Sequence, residues 1–264
     1  DFTLLITILL LLSMGLVMVL SASSPSALSE SGNSYAFFSK QLIFAILGII
    51  AMLFISKIDY RFYQKFYKHA WWIALILLAL VLIAGETVNG AKRWIYVTET
   101  LSFQPSEVVK ILMIIFYAGI LVKNRDELGL YTKGFIKNMC LLAPIIGLLL
   151  LEPHFSASIV IIGICATMMI MAGCKFWHFL ATGAVAGIPA MILLIVKEPY
   201  RLQRVITFLD PWKDATGDGW QVIQSLYAIG SGGLFGVGLG ESKQKFLYIP
   251  EPHNDFIFSI LGEE

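Results

Sequence analysis

Residues 136–173 read IKNMCLLAPIIGLLLLEPHFSASIVIIGICATMMIMAG, two apolar runs on either side of a short polar turn, Glu152–Phe155. A helix needs about 20 mostly apolar residues to cross the hydrocarbon core of a membrane. The runs Ile136–Leu151 and Ser156–Gly173 approach that length. This stretch therefore predicts a helical hairpin that crosses a membrane twice.

The same pattern repeats along the chain. The seven predicted spans are Leu4–Leu20, Phe38–Ile55, Ala70–Ala84, Val108–Val122, Ile136–Leu151, Ser156–Gly173 and Phe176–Val196, and an eighth begins near Asp255. Hydrophobic residues make up 58% of the chain and charged residues 14%, with a mean hydropathy of +0.78. Soluble domains carry about 25% charged residues. The prediction is an all-α polytopic membrane protein with one large polar loop, residues 197–255.

Composition also excludes other classes. A net charge of +1 provides no broad field for binding nucleic acid. Cys140, Cys165 and Cys174 lie in or beside apolar runs without CxxC spacing, so they are predicted to be packing residues. The chain stops at Glu264 inside an apolar run, and we expect a longer protein.

Basic residues in the short loops predict the orientation, because Lys and Arg accumulate on the cytoplasmic side. One set of loops holds Lys57, Arg61, Lys65, Lys68, Lys123, Arg125, Lys133, Lys137 and Lys175, whereas the opposite set holds Lys40, Lys92 and Arg93. The N-terminus is therefore predicted to be cytoplasmic. The Ser21–Lys40, Gly85–Ser106 and 197–255 loops are then extracytoplasmic.

Two polar motifs surround the fourth span. Lys92 and Arg93 stand beside Trp94 in the second outer loop, a combination that suits a diphosphate head group or an anchor to lipid phosphates. Further along, Pro105 and Ser106 are typical of a helix start. Glu107 and Lys110 lie three residues apart and can pair on one helix face, as a structural ion pair or as functional groups within the membrane.

The turn after the fifth span contains Glu152 and His154. The histidine is a candidate general base, a pH-sensitive group or a hydrogen-bonded structural residue. Glu152 is a candidate partner for Lys110, which begins at a similar depth.

The long loop contains predicted helices. Arg201 and Arg204 share one face if their segment is helical, and Asp210-Pro211-Trp212 ends that helix. A second, interfacial helix over Trp220–Ile229 groups Gln221, Gln224 and Ser225. The glycines that follow, from Gly230 to Gly240, predict tight turns and close backbone approach to a ligand or a span, because no βαβ unit supports a nucleotide site.

Asp255 ends the motif YIPEPHND, residues 248–255, at the point where the chain re-enters the membrane. One interpretation is that Asn254 or Asp255 caps the next helix. Another is that this carboxylate, partly removed from water, acts as a general base. The two roles are compatible.

Together these motifs resemble the SEDS family of RodA, FtsW and SpoVE, over the whole chain. The resemblance rests on Gly90–Trp94, Phe103–Glu107 with Lys110, Arg204 with Phe208 and Pro211, Gly219–Gly233, and Gln244–Phe258. Within the family, the chain looks most like the FtsW and SpoVE members of spore-forming Gram-positive bacteria.

The resemblance implies a ten-span fold, of which about seven and a half spans are present in a single membrane domain covering residues 1–264. It implies a peptidoglycan glycosyltransferase that polymerises lipid II at the outer face of the bacterial cytoplasmic membrane, during division, elongation or spore cortex synthesis. Its implied partners are a class B penicillin-binding protein, lipid II, undecaprenyl-diphosphate-linked glycan and other divisome, elongasome or sporulation membrane proteins.

Roles for particular residues follow from the resemblance. Asp255 matches the catalytic aspartate of the family motif P-E-x-H-T-D. The leaving diphosphate would be stabilised by Lys and Arg side chains, alone or with a divalent ion such as Mg²⁺ or Mn²⁺. The predicted substrate-binding residues are Lys92, Arg93, Glu107, Lys110, Arg201, Arg204, Gln224, Ser225, Glu251 and His253.

The chain departs from the family at one position. His154 stands where many relatives have an aspartate thought to pair with the lysine at position 110. That ion pair is therefore in doubt, replaced by Lys110 with Glu152 or lost. Two alternative functions are open: transport of lipid II across the membrane, with Glu107 and Lys110 as the polar path, and a scaffold for the transpeptidase partner.

Overall fold

The computed structural model describes residues 1–88, 91–98, 101–196, 199–246 and 248–264. Seven of its helices are long and apolar enough to cross a membrane: Phe2–Ser31, Ala36–Ile55, Tyr67–Ala84, Pro105–Lys123, Tyr131–Leu151, Phe155–Ala172 and Phe176–Leu193. The seven spans predicted from the sequence are confirmed, as is the all-α class.

The elements follow in order. They are α1 (Phe2–Ser31), α2 (Ala36–Ile55), α3 (Tyr60–Lys65), α4 (Tyr67–Ala84), β1 (Glu86–Val88), β2 (Ala91–Thr98), β3 (Leu101–Phe103), α5 (Pro105–Lys123), α6 (Lys137–Leu151), α7 (Phe155–Ala172), α8 (Phe176–Thr182), α9 (Ile188–Val196), α10 (Pro199–Leu209), α11 (Trp220–Gly232) and α12 (Ile257–Glu263). Short 3₁₀ turns cover Arg125–Glu127 and Pro211–Asp214. π-Helical turns cover Tyr131–Ile136, which continues into α6 as one span, and Gly183–Gly187, which joins α8 to α9 in another span.

The chain divides into two compact units. The first unit contains residues 1–57 and 192–264, and the second contains residues 58–191. Each is described by itself below.

The second unit is a bundle in which α4 packs on α5 and α6, and α5 packs on α7. Its core includes Leu78, Met113, Leu142 and Ile161. Some buried polar groups find partners inside the bundle, where a membrane interior offers no water. The Tyr117 hydroxyl, for example, donates to the Asn138 carbonyl over 2.7 Å.

The loop between α4 and α5 contains a small antiparallel sheet, in the order β1-β2-β3. Glu86 pairs with Trp94, and Ile95 pairs with Phe103. The sequence predicted only a loop here, because β1 and β3 have three residues each and β2, AKRWIYVT, lacks strict alternation of apolar and polar residues. The sheet holds Lys92 and Arg93 on β2, which contacts α4 and α5.

In the first unit, α1 packs on α2 and α12, and α11 packs on α12. Helix α1 continues to Ser31, so the prediction that a loop begins at Ser21 is wrong. This part of α1 is held by packing, because Ala22 is buried in one cluster with Ala228, Ile249 and Ile260. The Ser29 and Ser31 hydroxyls donate to the Ser26 and Ala27 carbonyls of the same helix, each over 2.8 Å. Gly32, at φ 69°, ends the helix in the left-handed conformation.

Candidate active site

A groove of about 1100 Å³ in the first unit surrounds the carboxylate that the sequence singled out. We call it the Asp255 groove. Its lining comprises Gln203, Arg204, Thr207, Phe208, Thr216, Gly217, Asp218, Trp220, Gln221, Val222, Pro250, Asp255 and Phe256. The structure thus brings together Arg204 and Asp255, which lie far apart in the sequence and were both predicted to act on substrate.

Local structure explains how the two walls of the groove form. Helix α10 carries Arg204 and ends at Leu209, immediately before Asp210-Pro211, as predicted. The Asp214 carboxylate then accepts from the N–H groups of Gly217 and Asp218, over 3.1 and 3.0 Å. This turn leads into α11, which confirms the predicted helix from Trp220.

The segment before Asp255 is tied to α11. The Trp220 indole N–H donates to the Tyr248 carbonyl over 2.9 Å. The same indole lines the groove and is partly exposed. The Trp220 side chain therefore lines the groove and also holds the segment that leads to the Asp255 carboxylate.

Asp255 is exposed, whereas partial removal from water was expected. Helix α12 begins at Ile257, with Phe256 as N-cap and no side-chain cap hydrogen bond, so the prediction of a cap by Asn254 or Asp255 is wrong. The reason is local: residues 251–256 form turns, with the Asn254 N–H bonded to the Glu251 carbonyl over 3.1 Å. The helix starts after these turns, and the carboxylate lines the groove instead.

Four other predicted residues lie outside the lining of the groove. The Ser225 and Ser259 hydroxyls are 2.5 Å apart and join α11 to α12, and Gln224 is buried. Glu251 is exposed and accepts from the Asn254 amide over 2.9 Å. The His253 ring packs 4.4 Å from the Phe37 ring. None of these four residues lines the groove, and the Arg201 side chain lies outside the described residues.

The second unit contains a separate polar group, which we call the Arg93 cluster: Arg93, Gln104, Glu152 and His154. The Arg93 guanidinium donates from Nη2 to the Pro153 carbonyl over 2.5 Å. Lys92, the neighbouring cation on β2, is exposed. The two adjacent cations therefore have different surroundings, although the sequence treated them as a pair.

Burial sets the protonation of this cluster. Glu152 is only 1% exposed, and its burial raises its pKa to about 7 against the opposing effect of Arg93. Burial also lowers the pKa of His154, with smaller contributions from Arg93 and Lys110 and an opposing one from Glu107.

His154 contacts the start of α5. The Gln104 Nε2 atom lies 3.4 Å from the His154 Nε2 atom. With Gln104 as donor, this contact needs an unprotonated Nε2, which agrees with the lowered pKa of the ring. The geometry favours the structural interpretation of His154.

Glu107 and Lys110 pair at 2.7 Å, as the spacing predicted. Lys110 thus pairs with Glu107, and no ion pair between Lys110 and Glu152 occurs among the described residues. Helix α5 begins at Pro105, with Ser106 and Glu107 in its first turn, so the predicted helix start is confirmed.

The sequence left open whether a divalent cation takes part, and the described ranges contain no evident ligand set for one. Nowhere in them do three or more His, Cys, Asp or Glu side chains group closely enough to hold a metal ion. Sequence reasoning also missed a buried network of Ser21, Lys245, Glu263 and Glu264. Its signal was a pair of carboxylates inside an apolar run, where ionisable residues are costly.

Comparisons with known proteins agree with this architecture. The profile of the cell cycle protein family, which comprises FtsW, RodA and SpoVE, matches residues 2–264. Stage V sporulation protein E of Bacillus subtilis is 41% identical over the whole chain, which covers 72% of that relative. A probable peptidoglycan glycosyltransferase FtsW of Trichlorobacter lovleyi is 42% identical over the whole chain, which covers 69% of it.

Solved structures show the same fold. One chain of a peptidoglycan synthase complex that coordinates polymerization and crosslinking is 26% identical, with a TM-score of 0.75 over all of this chain and 70% of its own. The rod shape determining protein RodA of Thermus thermophilus is 25% identical, with a TM-score of 0.60 over 74% of this chain and 59% of its own. The chain belongs to the cell cycle protein family of FtsW, RodA and SpoVE.

Proposed function

We propose that this chain is a peptidoglycan glycosyltransferase that polymerises lipid II, with Asp255 as general base. The observation that carries the proposal is the Asp255 groove, in which an exposed carboxylate and Arg204 line one open volume. The names of the relatives support the activity, since several are probable peptidoglycan glycosyltransferases.

The proposed reaction forms one glycosidic bond. The GlcNAc 4-hydroxyl of lipid II attacks the MurNAc anomeric carbon of the growing glycan, and Asp255 takes the hydroxyl proton. The bond from the anomeric carbon to undecaprenyl diphosphate breaks, and the diphosphate leaves with the electron pair, with inversion at carbon. One carboxylate suffices, because the diphosphate leaves without protonation, unlike the alcohol in a glycoside hydrolase.

The rest of the groove suits this substrate. Arg204 can stabilise the negative charge that develops on the diphosphate, through paired N–H donors. Gln203, Thr207 and Gln221 supply donors and acceptors for sugar hydroxyls. No step is routed through a metal ion.

In this proposal the second unit contributes charged groups that bind substrate at its own surface. Exposed Lys92 meets an anionic head group, and Arg93 holds the turn at Pro153. Lys110, paired with Glu107, adds positive charge at the start of α5.

The proposal includes the orientation of the chain in the membrane and a protein partner. We propose that the N-terminus is cytoplasmic and the groove extracytoplasmic, which the distribution of Lys and Arg in the short loops supports. The partner is a class B penicillin-binding protein, which cross-links the new strand. This pairing is supported by the similarity to a chain from a peptidoglycan synthase complex. We further propose that the chain forms a single membrane domain.

The test separates polymerisation from transport. Purified full-length protein with its transpeptidase partner is given lipid II in detergent micelles, where no bilayer has to be crossed, and glycan products are resolved on gels. We expect glycan strands. Two results together would contradict the proposal and indicate a transporter. Lipid II would remain unpolymerised in micelles, and the protein would move fluorescent lipid II across liposome membranes.

A further inference from the structure

A buried ion pair joins the two ends of the segment that carries Asp255, residues 245–264. The Lys245 ammonium lies 3.0 Å from the Glu264 Oε1 atom, and their side chains are 6% and 1% exposed. The Ser21 hydroxyl donates to the same Glu264 oxygen over 2.6 Å. The Lys245 ammonium also donates to the Gly240 carbonyl over 2.6 Å.

A second carboxylate, Glu263, holds the chain just before Lys245. It accepts from the Ser242 hydroxyl over 2.5 Å and from the N–H groups of Lys243 and Gln244 over 3.1 and 3.3 Å. Glu263 is 2% exposed. Charge-assisted bonds to main-chain N–H groups fix a loop more firmly than neutral ones.

Main-chain contacts tighten the same region. The Val237 N–H donates to the Glu263 carbonyl over 2.8 Å. Gly232 and Gly236 approach the main chain of Gly262 and Glu264 so closely that a Cβ atom at either glycine would clash. The glycine pattern predicted close main-chain approach to a ligand or a span, and the structure shows such an approach to the end of α12. These contacts leave the segment between Lys245 and α12 held at both ends.

A buried ion pair is costly compared with apolar packing, so its presence suggests a requirement for geometry more than for stability. We propose that Glu263, together with the Lys245–Glu264 pair, is a positioning group that holds Asp255 in its groove. This inference rests on the proposed function, because it assumes that the position of Asp255 matters for turnover.

The test uses Glu263→Gln in the full-length protein with its partner. The substitution keeps the side-chain volume and removes the charge that the Ser242 hydroxyl and the two N–H groups share. Misplacing a reacting group by about 1 Å can cost about 100-fold in rate. We expect kcat for lipid II polymerisation to fall by about 10- to 100-fold, with KM little changed.

A second readout does not depend on activity. Hydrogen exchange at the N–H groups of residues 240–256 should speed up in Glu263→Gln, while exchange in α4 to α7 stays as in the unaltered protein. Glu263→Asp keeps the charge and should recover part of the protection and turnover. Glu241→Gln, which alters an exposed carboxylate in the same loop, should leave both unchanged.

The outcomes are distinguishable. Wild-type kcat together with wild-type exchange in Glu263→Gln would overturn the inference. If that variant fails to fold, Ser242→Ala removes one donor and keeps the Glu263 carboxylate, and unchanged exchange there would overturn the inference equally. Full activity of Asp255→Asn would instead remove the proposed base, while the exchange data would still report whether Glu263 holds the segment.

Discussion

The Asp255 groove and the Arg93 cluster use the same residue types in opposite ways. In the groove, a carboxylate and Arg204 are both exposed and line a volume large enough for a sugar. In the cluster, Glu152 is buried and Arg93 is bonded to a main-chain carbonyl. Residue type alone therefore does not identify a reactive site. Access to substrate separates a group that can do chemistry from a group that holds a turn.

The largest expected contrast comes from the arginine of the groove. Arg204→Gln removes the charge proposed to stabilise the leaving diphosphate, and we expect kcat to fall by about 100- to 1,000-fold. The measurement is the initial rate of lipid II polymerisation. Arg204→Lys retains a point charge without the paired donors and should be intermediate. Wild-type turnover in Arg204→Gln would place the leaving group elsewhere.

The matched change in the cluster should act on stability. Arg93→Gln leaves the Pro153 carbonyl without its 2.5 Å donor, and we expect the free energy of unfolding to fall by about 1–3 kcal/mol. Thermal unfolding in detergent gives the value, and turnover should fall only with the folded fraction. If turnover is lost while the unfolding midpoint is unchanged, Arg93 binds substrate instead of holding the turn.

Glu152 should make stability depend on pH. The pKa of Glu152 is raised from 4.5 to about 7, so the folded protein holds this proton more tightly than the unfolded chain. Its contribution is complete below about pH 4.5 and is lost as the pH rises through about 7. Thermal unfolding of Glu152→Gln across this range should lack that decline.

His154 provides the internal control for this measurement. Its lowered pKa gives the opposite sign: its contribution is present above its ordinary pKa of 6.5 and is lost as the pH falls through the lowered value. His154 contributes equally to the pH dependence of stability in wild type and in Glu152→Gln. The difference between the two pH curves therefore reports Glu152 alone. Parallel pH curves for both proteins would contradict the buried, protonated carboxyl.

The smallest effect is expected at Lys110. Its partner, Glu107, is well exposed, and a helical pair of this spacing contributes about 0.2–0.5 kcal/mol. Lys110→Met should therefore leave thermal unfolding nearly unchanged. A large drop in the unfolding midpoint would show that the pair is a structural support like Arg93, instead of a surface charge available to substrate.

The sequence predicted what depends on local chemistry. Span positions follow from the length of the apolar runs, and the end of α10 follows from Asp210-Pro211. The Glu107–Lys110 pair follows from helical spacing. Each of these needs only neighbours within a turn or a single run, which is why spacing suffices.

Features that depend on distant contacts were missed or misjudged. Ser21–Ser31 looked like a loop because its serines are polar, whereas Ala22 in this segment is buried against Ile249 and Ile260, far away in the chain. The ion pair between Lys245 and Glu264, and its bond to Ser21, joins segments far apart in the chain. The joint lining of the groove by Arg204 and Asp255 likewise depends on how α10, α11 and the segment before α12 pack.

The central claim is that Asp255 is the general base. The direct measurement is the initial rate of lipid II polymerisation by the Asp255→Asn protein with its transpeptidase partner, beside Asp126→Asn, which alters an exposed carboxylate outside the groove. Asparagine keeps the shape and cannot take the proton. The account predicts a rate at least about 100-fold below wild type for Asp255→Asn, with a normal rate for Asp126→Asn and an unchanged unfolding midpoint for both. A wild-type rate for Asp255→Asn would contradict it.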